Sequence, residues 1–297
     1  MLDAKSPDQA LALPVTKQDI PRPETGTPKN WWIYVPLAIG LIAMIAPFIW
    51  MLLGSLKTQA ELSRIPPTWL PEAPTLSNYG RLFTQLNFPL YFTNSVILAV
   101  SVTVFNLLFC SMLGYALAKL TFVGKNVIFL LVLATLMIPS AVTLVPLFVL
   151  MSKLGLVNTL TAVILPEAAQ GFGVFLMRQF MLGIPDELLE AGRMDGASEF
   201  FLFWKVVLPL CTPALATLTI LQFLGSWNDF LWPLIVLTND RKYNLPVALA
   251  TFAVGQHVSD DGLLLAGAVV VVLPVIIVFL LLQRYFTQGI AMTGLKG

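Results

Sequence analysis

The chain has 297 residues, of which 57% are hydrophobic and only 11% are charged, and its mean hydropathy is +0.83. Soluble globular domains carry about 25% charged residues, so this composition excludes that class and indicates an integral membrane protein. The net charge of +1 and the absence of any run of Lys or Arg give no support to nucleic-acid binding.

Several apolar runs reach the roughly 20 residues that a helix needs to cross about 30 Å of hydrocarbon. We expect these spans to be helices, because a helix satisfies its own backbone hydrogen bonds within lipid. The predicted fold class is therefore an all-α integral membrane protein with six transmembrane helices. In chain order the spans are predicted at about 31–56, 91–120, 127–151, 159–181, from 208 onward, and 262–285.

The segments outside the spans divide the chain further. Residues 1–30 are polar and contain five prolines, which predicts a disordered tail rather than a signal peptide. A membrane domain is predicted over 31–286, followed by a second tail over 287–297. Eleven Lys and Arg residues lie on the side shared by both tails and by the loop at 183–207, against six on the other side. The positive-inside rule therefore predicts that both termini and this loop are cytoplasmic.

The loop at 183–207 has the pattern of two short helices. Pro185 suits a first helical position, and two acids follow it in the first turn. Gly196 is expected to end the first helix, and Ser198 to cap a second one that continues to Pro209. Physical reasoning leaves two alternatives open: a connector that lies in the membrane interface, or a projection that fits a groove of another protein.

A spaced motif runs through and beyond this loop, and its residues are Glu190, Ala191, Gly192, Asp195, Gly196, Ala197, Val206, Leu208 and Pro209. These residues at this spacing resemble the EAA signature of ABC importer permeases. A glycine stands in place of the usual third alanine and a valine in place of the usual isoleucine, with the spacing intact. Two neighbouring segments, at 177–180 and 227–229, resemble the carbohydrate-uptake branch and its subunit like the smaller maltose permease.

The resemblance implies that the loop forms a coupling helix between spans 4 and 5 and docks in a cleft of a cytoplasmic ATPase. Glu190 would support the loop and Gly196 would make its turn. It also implies that the last residues, including Gly294 and Lys296, reach between the ATPase subunits, although a frayed terminus is an equal alternative. The chain itself would bind no cofactor, because ATP and Mg are used by the partner ATPase.

The same resemblance implies a set of partners and a location. The partners are a second permease subunit in a heterodimer, two ATP-binding subunits and an extracytoplasmic sugar-binding protein, and no nucleic acid is expected. The location is the bilayer of a bacterial or archaeal inner membrane. The implied activity is uptake of a sugar or oligosaccharide, with no catalysis by this chain.

Four polar or aromatic residues inside or beside the spans are candidates for the translocation path. Glu167 lies in an apolar run, where an ionisable side chain is costly enough to indicate a function, although it also follows a proline near a helix break. Trp227, Asn228 and Asp229 lie where the fifth span nears the external side. Aromatic faces and polar groups hold sugars, but the same residues also suit an interface and a helix cap.

Other classes lack the residues they need. The single histidine, His257, excludes a zinc-protease motif or a Ser-His relay within the spans. Gly124 and Lys125 are followed by Asn126, so no phosphate-binding loop is formed and ATP hydrolysis requires another chain. A secondary transporter or channel acting alone remains the main alternative, although no internal repeat supports it. A membrane-embedded enzyme would need clustered acids or histidines.

Overall fold

The computed structural model describes residues 31–254 and 260–293, and the described residues form helices and connecting loops without a strand. The chain divides into two units, Met1–Pro47 and Phe48–Gly297. The helices are α1 (Tyr34–Ser55), α2 (Gln59–Leu62), α3 (Ser77–Gln85), α4 (Phe88–Lys119), α5 (Lys125–Met137), α6 (Ser140–Lys153), α7 (Leu160–Glu167), α8 (Gly171–Leu182), α9 (Asp186–Met194), α10 (Glu199–Leu202), α11 (Leu208–Leu210), α12 (Thr212–Asn228), α13 (Leu231–Val236), α14 (Leu245–Val254) and α15 (Asp261–Thr293). A π-helical turn at Phe203–Val207 joins α10 to α11.

Four helical stretches in the described part of the chain are long and apolar enough to cross a membrane: Tyr34–Ser55, Phe88–Lys119, Leu160–Leu182 and Asp261–Gln283. Two further pairs of helices meet the same criterion together but are bent sharply between their members. The number of spans is six if each bent pair counts as one. The all-helical membrane fold expected from the sequence is confirmed.

The third predicted span, 127–151, is not one helix. α5 and α6 meet at an angle of 107°, with Ile138 and Pro139 both in extended backbone conformations between them. Proline has no N–H to continue the helix and disfavours helical geometry in the residue before it, which explains the break. The predicted fifth span, from 208 onward, corresponds to α12, and the segment Glu199–Leu210 precedes it at an angle of 80°.

The centre of the second unit is α4, which packs against α8 and α12, while α12 packs against α15. A glycine brings α4 and α8 close together, since a Cβ atom at Gly114 would lie 2.8 Å from Cβ of Met177. Small residues at such crossings give membrane helices their packing energy. Cys110 and Cys211 are fully buried among these helices, as expected for small apolar side chains.

Candidate functional site

The loop at 183–207 folds as two helices around a glycine turn, as the sequence predicts. Gly196 has a φ of +80°, and its N–H donates to the carbonyl of Arg193 at 3.0 Å. The N–H of Ala197 donates to the carbonyl of Gly192 at 2.9 Å. This pair of bonds ends α9 in the left-handed geometry that glycine adopts without strain. Ser198 then caps α10, because its Oγ accepts from the N–H of Phe201 at 3.3 Å.

The unusual glycine of the motif has a steric reason. A Cβ atom at Gly192 would lie 2.5 Å from Cδ2 of Leu202, which is fully buried. Glycine at this position lets the Leu202 side chain close α10 against α9. The two helices of the loop therefore pack as a unit.

An ionic hydrogen-bond network joins the loop to the membrane helix α4. The hydroxyl of Tyr115 donates to Oε2 of Glu199 at 2.6 Å, and Nε of Arg193 donates to Oε1 of the same carboxylate at 2.7 Å. The Glu199 hydrogen bond raises the pKa of Arg193 above its ordinary value. Tyr115 and Glu199 are missing from the motif used in the sequence analysis, because nothing in the spacing indicates that they meet.

A second contact joins the start of the loop to the last turn of α4. Nζ of Lys119 donates to the carbonyl of Ile184 and to Oδ1 of Asp186, both at 2.6 Å. The hydrogen bond from Lys119, together with its charge, lowers the pKa of Asp186. Each helix of the pair is thus attached to α4 through its first residue.

The outer surface of the loop carries large apolar side chains beside its charged ones. Leu189 is buried, whereas the exposed apolar side chains are Leu188, Met194, Phe200, Phe201 and Trp204. A cavity of about 550 Å³ lies among Ser198, Phe200, Phe201, Trp204 and Lys205. Glu190 lies on the exposed side of α9. Exposed apolar patches of this kind mark interaction surfaces.

A second cavity, of about 480 Å³, lies between α6 and the helices α7, α12 and α13. Two carboxylates line it, those of Glu167 and Asp229. Three hydroxyl side chains and one indole complete its polar lining: Ser140, Thr143, Ser226 and Trp232. Oε2 of Glu167 accepts hydrogen bonds from the amides of Gln170 and Gln222. The two predicted carboxylates therefore face one space, and Glu167 lies beside the predicted helix break.

The other two pathway candidates lie differently. Trp227 is 1% exposed, and its Nε1 donates to the carbonyl of Val271 at 2.9 Å. Asn228 is exposed and donates to the carbonyl of Leu224 at 3.0 Å. Neither residue lines the 480 Å³ cavity. Gly294, Lys296 and His257 lie outside the described residues.

The family model for the binding-protein-dependent transport system inner membrane component matches residues 110–292, which include both cavities and the helical loop. The chain belongs to this family. The resemblance found in the sequence is confirmed, and the chain is a non-catalytic permease subunit, since its relatives are named as permease proteins of transport systems.

Two similar proteins are named for the sugars that their transport systems carry. The arabinooligosaccharides transport system permease protein AraQ of Halalkalibacterium halodurans is 43% identical over 271 residues, which cover 90% of this chain and 97% of the relative. The lactose transport system permease protein LacG of Rhizobium radiobacter is 32% identical, and the match covers 86% of this chain and 93% of LacG.

A solved structure has the same fold. It is the crystal structure of a bacterial ABC transporter involved in the import of the acidic polysaccharide alginate, and one of its chains matches this permease with a TM-score of 0.79. The two chains are 29% identical, and the match covers 86% of this chain and 95% of the other.

Proposed function

We propose that this permease is the membrane subunit of an ATP-driven importer for oligosaccharides and that its loop at 183–207 couples transport to ATP hydrolysis. It acts with a second permease, two ATPase subunits and an extracytoplasmic binding protein. The observation that carries the proposal is the helical pair α9–α10, which exposes an apolar surface on one side and is attached to α4 on the other.

The attachment gives the loop a way to move the membrane helices. A force applied to α9 or α10 reaches α4 through the Tyr115–Glu199 and Lys119–Asp186 contacts. α4 packs directly on α8 and α12, and α12 carries part of the lining of the 480 Å³ cavity. In this proposal, closure of the ATPase pair displaces the loop and thereby changes access to the cavity.

The exposed apolar side chains of the loop indicate that a protein partner covers this surface in the assembled transporter. Met194 is 88% exposed and Phe200 is 65% exposed. A cleft in the ATPase would cover both side chains and remove their apolar surface from water. The exposed carboxylate of Glu190 lies on α9, the helix that ends at Met194, and we assign Glu190 to the contact with the ATPase. With the loop in the cytosol, both chain termini are cytoplasmic as well.

The chemistry of the 480 Å³ cavity supports a neutral oligosaccharide as the transported molecule. Carboxylates accept hydrogen bonds from sugar hydroxyls, the Ser and Thr side chains both donate and accept them, and Trp232 offers an aromatic ring. The lining residues include no Lys, Arg or His to pair with an acidic sugar. Arabinooligosaccharides and lactose, named for two relatives, are neutral, whereas the solved relative imports acidic alginate.

Reconstitution tests this proposal. The permease is placed in proteoliposomes with its companion permease, ATPase and binding protein, and uptake of radiolabelled arabinotriose, lactose and an oligouronate is measured with and without ATP. We expect ATP-dependent uptake of a neutral oligosaccharide and none of the oligouronate. Uptake by the permease alone, driven by an ion gradient, would contradict the proposal and support a secondary transporter.

A further inference from the structure

The loop between α1 and α3 has buried polar groups and large exposed apolar side chains. Lys57 and Glu61 are 3% and 4% exposed, although both are charged residues. Thr68 joins them, because its Oγ1 accepts from Nζ of Lys57 at 3.1 Å and donates to Oε1 of Glu61 at 2.8 Å. The N–H of Glu72 donates to the same carboxylate oxygen at 3.0 Å. These bonds fix the course of the loop from residue 57 to residue 72.

The same bonds direct large apolar side chains outward. Ile65 is 96% exposed, Trp69 is 72% exposed and Leu70 is 70% exposed. We call these three residues the loop patch. Because the segment is fixed by its buried polar groups, the patch keeps its outward orientation. An exposed apolar surface of this kind marks a site of contact with another protein or with a membrane.

The depth of the patch relative to the membrane follows from one aromatic contact. The ring of Trp69 meets the ring of Trp50 edge-on, with 5.0 Å between their centroids. Trp50 lies five residues before the end of α1 at Ser55, which corresponds to about 7.5 Å along a helix axis. α1 is itself a span of 22 residues. Trp69 is therefore held at the level where the end of this span passes from hydrocarbon to headgroups.

The chemistry at this level suits a lipid interface. Tryptophan rings are enriched at the boundary between hydrocarbon and water, where one part of the ring is apolar and the N–H is wet. Nζ of Lys57 lies 5.2 Å from the centroid of the Trp50 ring, so the buried cation of the loop interior also holds this ring at the end of α1. The apolar side chains of α1 near its end, such as Leu52, are also exposed.

We propose that the loop patch inserts into the headgroup region of the bilayer and anchors the connection between α1 and α3 to the membrane surface. The partner is the lipid leaflet at the C-terminal end of α1. This anchor requires neither a particular substrate nor coupling to an ATPase. A test that contradicts the anchor therefore leaves the proposed transport function unaffected, and the reverse also holds.

Site-specific fluorescence tests the anchor. Leu70→Cys is labelled with an environment-sensitive NBD probe in the assembled transporter, in nanodiscs of phosphatidylcholine and phosphatidylglycerol. Two variants serve as references: Leu52→Cys on the exposed side of α1, and Thr238→Cys in an exposed polar loop. The native thiols, Cys110 and Cys211, are fully buried, and the labelled parent gives the background.

We expect the probe at position 70 to show blue-shifted emission, quenching by lipids that are spin-labelled near the headgroup, and loss of quenching by aqueous iodide. Its behaviour should match the reference at position 52 rather than that at position 238. Iodide quenching at position 70 equal to that at position 238 would overturn the proposal. Shielding that appears only when the binding protein is added would also overturn it, and would assign the patch to protein docking.

Discussion

Replacing Tyr115 with phenylalanine removes one hydroxyl group and leaves the aromatic ring in place. That hydroxyl donates to Oε2 of Glu199 at 2.6 Å and connects α4 with α10. The ring itself packs against Phe203 with 5.4 Å between centroids, a contact that the variant retains. Tyr115→Phe therefore tests the hydrogen bond between the membrane helix and the loop with little change in packing.

The expected magnitude follows from the surroundings of the bond. Hydrogen bonds to charged groups contribute about 1.5–3 kcal/mol, but the Glu199 side chain is 44% exposed and keeps its ion pair with Arg193. Water therefore replaces part of the lost interaction, and we expect a cost of about 1–2 kcal/mol, which corresponds to a factor of about 5–30 in a local opening equilibrium.

Hydrogen exchange measured on the assembled transporter gives the readout. Amides of residues 186–205 should exchange faster by roughly the same factor of 5–30, and sugar uptake per ATP hydrolysed should fall. Tyr79→Phe is the matched control, since it also removes one hydroxyl bond, which joins α3 to Ser55 at the end of α1 at 2.8 Å. Unchanged exchange in 186–205 after Tyr115→Phe, or equal effects of both variants, would refute the reasoning.

Three further predictions concern the Gly196 turn, the 480 Å³ cavity and the contact between Lys119 and Asp186. Gly196→Ala should lower the free energy of unfolding by about 1 kcal/mol through backbone strain alone, because φ is +80° and an added Cβ meets nothing within 4 Å. Gly196→Asn should retain most coupled ATPase activity, since asparagine tolerates this conformation. Glu167→Gln and Asp229→Asn should each lower neutral-oligosaccharide uptake about tenfold, with ATPase binding unchanged and with Thr217→Val, on α12, as control. Lys119 lowers the pKa of Asp186, so the contribution of Asp186 to stability is complete above its unfolded pKa of about 3.9 and is lost as pH falls through the lower folded value. The difference in melting temperature between wild type and Asp186→Asn should thus stay constant from about pH 7 to 5 and vanish only below about pH 4; a difference that changes near neutral pH would exclude this ion pair as its cause.

The sequence predicts the local features of this permease well because they depend on neighbouring residues. Gly196 and Ser198 end and begin helices through bonds within a few residues, so their types and order are sufficient. The position of Glu167 beside a helix break follows in the same way from Pro166 and the residues after it. Apolar length likewise predicts the membrane spans.

Features that depend on distant parts of the chain could not be predicted. The angle of 107° between α5 and α6 has no local signal, because a proline such as Pro139 ends a helix without setting the direction of the next one. Tyr115 and Glu199 are 84 residues apart, and their hydrogen bond has no local signal. Trp227 resembles an interface or pathway residue in sequence, yet tertiary packing places it in the core, where its indole bonds to Val271.

Photo-crosslinking of the helical loop tests the coupling role most directly. Benzoylphenylalanine is placed at Met194, which is 88% exposed on the loop, and separately at Val123, which is fully exposed in the turn between α4 and α5. Each variant is assembled with the companion permease and the ATPase, and then illuminated. The account predicts a strong crosslink to the ATPase from position 194 and a weak one from position 123. An intact complex with no crosslink from position 194, or with equal crosslinks from both positions, would contradict it.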